Sequence, residues 1–156
     1  MSLSVQLAKH FYEVHFGKNW TWSNLKDALE GVDWKDATTK FQDLNTIASL
    51  VFHMNYFVSA VLKVLEGSSL DAHDKYSFDL APIRSESDWQ LLQDKTMKEA
   101  QKFSELVSEL PESKLWETFS EEKYGSYYRN IQGIIEHCHY HLGQIVVIKK
   151  LIAHQK

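Results

Sequence analysis

Residues 134–145 read Ile134-Ile135-Glu136-His137-Cys138-His139-Tyr140-His141-Leu142-Gly143-Gln144-Ile145, inside a longer stretch from Tyr127 to His154. Ile131, Ile134, Ile135, Cys138, Leu142, Ile145, Ile148 and Ile152 recur there at steps of three and four. That is one face of a 3.6-residue period, so the spacing predicts a single long helix. His137 and His141 are four apart and stand one above the other on it, with Cβ atoms roughly 5–6 Å apart. At about 100° per residue His141 falls inside the apolar stripe and His137 on its flank, while His139 points away from both. Two imidazoles one turn apart beside an apolar seam can hold a single metal ion.

Working outward, the same period predicts a first helix over residues 3–16, stopped at Gly17. A short helical piece follows, capped by Ser23 or Thr21 and ended at Gly31, then a polar turn or single helical turn from Asp33 to Thr39. A second long helix is expected from a cap at Asn45 to the terminator Gly67, with Leu50, Met54 and Phe57 inward. His53 lies on the flank of that stripe, the kind of position His137 holds in the last helix. Residues 67–87 show no period; a connection of that length suggests a crossover along a bundle or a functional loop. Ser85 or Ser87 caps the third long helix, and Pro111 ends it. With only two prolines and six glycines, four main helices and a long second connection, the chain reads as all-α, a four-helix bundle forming one domain over residues 1–156.

The net charge of −4 and the absence of a basic helix face argue against a nucleic-acid partner. Cys138 is the sole cysteine, which rules out an intrachain disulfide and a thiolate zinc cluster. Its place in mid-stripe reads as a buried, inert thiol. The N-terminus has no basic region followed by an apolar run, and no window approaches the roughly 18–20 apolar residues of a membrane span. The expectation is therefore a cytoplasmic protein with no membrane partner. Glycine-rich phosphate loops and a Gly-x-Ser-x-Gly elbow are missing. Glu136 and His139 form one Glu-x-x-His pair, on the side away from the seam, where a di-iron bundle needs two.

If the second and fourth helices pack side by side, His53, His137 and His141 meet. Three imidazoles with a position left for water make a catalytic rather than a closed structural site, and suit Zn, Ni or Fe alike. Spacing alone leaves open that each is a partly exposed helix residue, and it assigns no catalytic residue. Gln144, one turn beyond His141, could orient a ligand histidine or sit as an amide on a solvated edge. The five tryptophans read as core plugs and caps at helix ends. Tyr76, Phe78 and Asp79 in the long connection are candidates for lining a pocket.

The run His-x-x-x-His-x-Gly-Gln-Ile, from His137 to Ile145, resembles the last-helix motif of the DinB/YfiT-like superfamily. Asn-Thr-Ile-Ala-x-Leu-x-x-His, from Asn45 to His53, resembles an upstream helix of the same family. Phe16-Gly17-Lys18-Asn19-Trp20, Leu25 and the Ala-Leu-Glu-Gly-Val turn at 28–32 are similar to one of its branches. The resemblance implies a four-helix bundle in up-down-down-up order, the long connection joining the second and third helices. It further implies one divalent metal ion held by His53, His137 and His141. Members with assigned activities are thiol-dependent S-transferases and isomerases using low-molecular-weight thiols such as bacillithiol or mycothiol; many others have none. Two functions are thus expected. One is a metal-dependent S-transferase acting on a small-molecule thiol, with an open coordination position under an apolar, tryptophan-lined cleft. The other is a non-catalytic, metal-binding or stress-associated bundle with a fourth protein ligand. A homodimer is compatible with either.

Overall fold

Six helix starts are each fixed by a short polar side chain that accepts a hydrogen bond from the backbone N–H three residues on. In the computed structural model, which describes residues 1–155, these are Ser2, Asn24, Asp33, Thr46, Ser85 and Ser126. Each such cap satisfies one otherwise orphaned N–H and contributes about 1 kcal/mol. The helices they open are α1 (Leu3–Phe16), α2 (Leu25–Leu29), α3 (Trp34–Thr38), α4 (Ile47–Leu65), α5 (Glu86–Glu109) and α6 (Tyr127–Ala153). Regular structure is helical throughout, with no strand among the described residues beyond one isolated bridge between Thr118 and Ser126.

Two caps differ from the sequence expectation by one residue or more. Asn24, not Ser23 or Thr21, opens α2, because the Thr21 hydroxyl is already turned to the Asn19 side chain at 2.6 Å. Thr46, not Asn45, opens α4. Of the polar turn or single helical turn expected from Asp33 to Thr39, the helical turn forms, as the five-residue α3. At the far end of α4, Gly67 takes φ 91°, a left-handed conformation that suits glycine and lets Ser68 N–H reach the Lys63 carbonyl at 2.9 Å.

The four long helices enclose one core. α1 packs on α5 and α6, and α4 packs on the same two helices. Phe11 of α1 and Phe103 of α5 meet with ring centroids 4.2 Å apart, both fully buried. Ser104 Oγ–H donates to the Ala8 carbonyl at 2.9 Å, and Asn55 Nδ2–H of α4 donates to Glu99 of α5 at 2.7 Å. Lys102 pairs with Glu66 at the end of α4. Trp89 is the one tryptophan that plugs the core, its Nε1–H donating to the Val32 carbonyl at 2.8 Å.

Other tryptophans correct the expectation. Trp20 is 96% exposed, Trp22 85% and Trp116 61%. The loop carrying the first two is held by Asn19, which donates to Glu13 and Ser23 carbonyls and accepts from Thr21, so it needs no indole plug.

α4 also overturns the expectation that no segment approaches a membrane span. Ile47–Leu65 is long and apolar enough to cross one by length and composition, yet 67% of its most apolar 18-residue window is buried inside this chain. Its apolar character follows from its packing against both α5 and α6, which leaves little of its circumference to water. Leu50, Met54, Ile134, Cys138, Leu142 and Ile145 are buried as the periodicity predicts. Phe57 is half-buried because it borders the cleft described next.

Candidate metal centre

Where α4 and α6 pack, the flank of one apolar stripe faces the flank of the other, and the residues there are His53, His137 and His141. Three ring nitrogens, one from each, lie within 4.8 Å of one another. His53 Nε2 and His137 Nε2 are 3.1 Å apart. Nitrogens at about 2.0–2.1 Å from a tetrahedral ion stand about 3.3 Å from each other, so the donor set is of the size a single ion needs. The three histidines are positioned to hold a metal ion. The structure gathers no fourth His, Cys, Asp or Glu with them among the described residues.

The tautomers of two rings are set from outside. His53 Nδ1–H donates to the Ser77 carbonyl at 3.3 Å, and His141 Nδ1–H donates to Gln144 Oε1 at 2.6 Å. In each case the Nε2 lone pair is left for the centre. Gln144 therefore orients the His141 ring, the first of the two alternatives its spacing left open, and is not an amide free on a solvated edge. Phe78 adds a second restraint on His53, stacking on it at 3.9 Å with the planes 10° apart.

His137 differs from the other two rings. Its Nδ1 is buried with no partner among the described residues, and the ring packs edge-on to Phe57 at 5.1 Å. With the His53 lone pair facing it, His137 has two choices. Protonated on Nε2, it donates to His53 and leaves Nδ1 a bare buried acceptor. Protonated on Nδ1, it sets two lone pairs against each other at 3.1 Å, an opposition that a cation relieves. Either way an orphaned polar atom costs about 1–3 kcal/mol.

Electrostatics keep His53 and His137 neutral. Burial, then the neighbouring His141 and His53, hold His137 down to about 4. Burial and His141 also lower His53, opposed in part by the Ser77 carbonyl and Asp74. Near neutral pH both rings carry free lone pairs, which ligation requires.

A cleft of about 580 Å³ opens beside His53 and His137, bordered by Phe57, Val61, Phe119 and Arg129. Its aromatic lining is phenylalanine and tyrosine; the tryptophans expected there are elsewhere. Of the three loop candidates, Phe78 reaches the centre. Tyr76 instead meets Lys75 and His73, and Asp79 lines a separate groove against α4 and α5. The Ser77 carbonyl could not be read from sequence, because a backbone oxygen leaves no residue-type signal. Neither could the clip that sets its loop, in which Tyr56 OH bonds both the N–H and the carbonyl of His73.

Other residues fall where the period put them. Cys138 is fully buried and its thiol is pushed up to about 12, so it is inert. His139 faces away from the centre, its ring 5.6 Å from His10. No family model matches the chain, and no curated protein or solved structure is significantly similar to it.

Proposed function

We propose that this is a divalent-metal-binding four-helix-bundle protein of the DinB/YfiT-like kind, using its three-histidine centre to activate a low-molecular-weight thiol for transfer to an electrophile. The observation that carries the reading is the convergence of His53, His137 and His141, with Ser77 and Gln144 turning two of the lone pairs inward.

Helix directions support the bundle. Leu3 meets Glu112 and Ala8 meets Ser104, so α1 and α5 run oppositely. Asn55 meets Glu99 and Glu66 meets Lys102, so α4 and α5 run together. Leu50 lies beside Val147, and Val61 beside Gly133, so α4 and α6 run oppositely. That combination is consistent with up-down-down-up order, the parallel pair being joined by the long connection.

When bound, a divalent ion would supply the positive charge that lowers the pKa of a thiol at its open position. The chain's own residues do the rest. Gln144 and Ser77 hold two rings in the ligating tautomer, Phe78 stacks on His53 while Phe57 packs T-shaped against His137, and the cleft admits the thiol and its electrophile. Transfer requires the thiol proton to leave to solvent while sulfur bonds to the electrophile and its leaving group departs. Zn, Ni and Fe all suit three imidazoles.

The open cleft and the missing fourth ligand favour transfer over a non-catalytic metal-binding or stress-associated role. The test is thiol consumption with an activated aryl halide, using wild type and His137→Ala each reconstituted with Zn²⁺, Ni²⁺ or Fe²⁺. Metal-dependent turnover, lost in the variant, is expected. Stoichiometric metal binding without turnover on any thiol would favour the non-catalytic role.

A further inference from the structure

The cleft beside the histidines has two electrostatically distinct ends. Asp74 stands on the wall formed by the long connection, where Ser77 Oγ–H turns to it at 3.4 Å beside His53. At the other end is Arg129, the sole Lys or Arg on the lining. Its guanidinium has no carboxylate within 4.0 Å among the described residues.

Arg129 is also in an electrostatically unfavourable place. It lies in the first turn of α6, three residues after the cap Ser126, where the helix dipole is positive and a cation is disfavoured. Its stem has a prepared bed: a Cβ on Gly125, whose φ is 74°, would lie 2.7 Å from Arg129 Cδ. Arg129 is solvent-exposed, so water alone offsets this cation beside the apolar cleft, and no carboxylate among the described residues supplies further compensation. A bound anion would supply that compensation from outside.

We propose that the cleft binds a small organic carboxylate, its anionic group paired with Arg129, its apolar body on Phe57, Val61 and Phe119, and its far end at the three histidines. Arg129 and His137 are eight residues apart, about 12 Å along the helix axis. With the arginine stem occupying part of that span, a ring with a short chain fills the remainder. In the metal-free protein Asp74 disfavours a carboxylate at the histidine end, which leaves Arg129 as the anionic group's partner. One planar guanidinium with no second cation matches a carboxylate better than a doubly charged phosphate. The inference rests on the histidines being the working end of the site.

The test is isothermal titration with 4-phenylbutyrate and with neutral 4-phenylbutan-1-ol, on metal-free and metal-reconstituted protein. Wild type should bind the carboxylate at least about tenfold tighter than the alcohol, a preference weakened by salt. Arg129→Met should bring the two affinities together, and Arg129→Lys should keep only part of the difference. Equal binding of the two probes, binding of neither, or a preference that survives Arg129→Met would overturn the proposal. A carboxylate preference in protein that takes up no metal would sink the metal reading and leave the Arg129 subsite standing; metal uptake without the preference would do the reverse.

Discussion

Nδ1 of His141 lies 2.6 Å from Oε1 of Gln144, one turn further along the same helix. The contact ties one tautomer of a buried ring of the centre, with Nε2 left free, to an amide that also lines the groove beyond it. Replacing Gln144 by Leu removes the acceptor while leaving every imidazole in place. Metal affinity should fall by about 10–100-fold, the usual effect of losing such a partner. The helical circular dichroism should be unchanged. Competition titration against a chromophoric chelator measures the affinity, and an unaltered value would show that the amide does not position His141.

Acid stability should be governed in part by His15. That ring is fully buried, donates from Nδ1 to the Phe11 carbonyl at 3.2 Å and is held down to about 4, chiefly by burial. Its folded pKa thus lies below the unfolded value of about 6.5. Between those values the unfolded chain binds more protons, so stability is full above about pH 6.5 and is lost as pH falls towards 4. A shift of this size corresponds to roughly 3 kcal/mol across the window. Urea unfolding from pH 7 to 4 should show that loss, with a shallower slope in His15→Gln. Parallel slopes in the two proteins would assign the acid sensitivity elsewhere.

Trp89 is both the largest fully buried side chain and a hydrogen-bond donor to the Val32 carbonyl. Trp89→Phe keeps an aromatic ring but strands that carbonyl, a loss of about 1–3 kcal/mol before any cavity is counted. Thermal unfolding should therefore begin several degrees lower. Trp22→Ala, by contrast, removes an indole that is 85% exposed and should leave the midpoint nearly unmoved.

Much of this was legible from the helical period, because burial of one face selects residues by type. The stripe from Ile131 to Ile152, the i,i+4 pair His137 and His141, and the matching flank of His53 could all be found without coordinates. What escaped is what residue type does not encode. The Ser77 carbonyl on His53 is backbone chemistry. The orphaned Nδ1 of His137 depends on which atoms happen to face it across α4. Trp20 and Trp22 look like core residues by composition, yet Asn19 fixes their loop and turns them outward. Caps slipped by one position at Thr46 because Asn45 and Thr46 are both good N-caps and only the backbone decides between them.

Metal content by mass spectrometry, after reconstitution and desalting, tests the central claim most directly. Wild type should retain about one ion per chain, and His53→Ala and His141→Ala should each lose most of it, since two imidazoles hold a divalent ion far more weakly than three. Full occupancy with unchanged affinity in both variants would mean that the ion is bound elsewhere, and the three-histidine centre would not be the metal site.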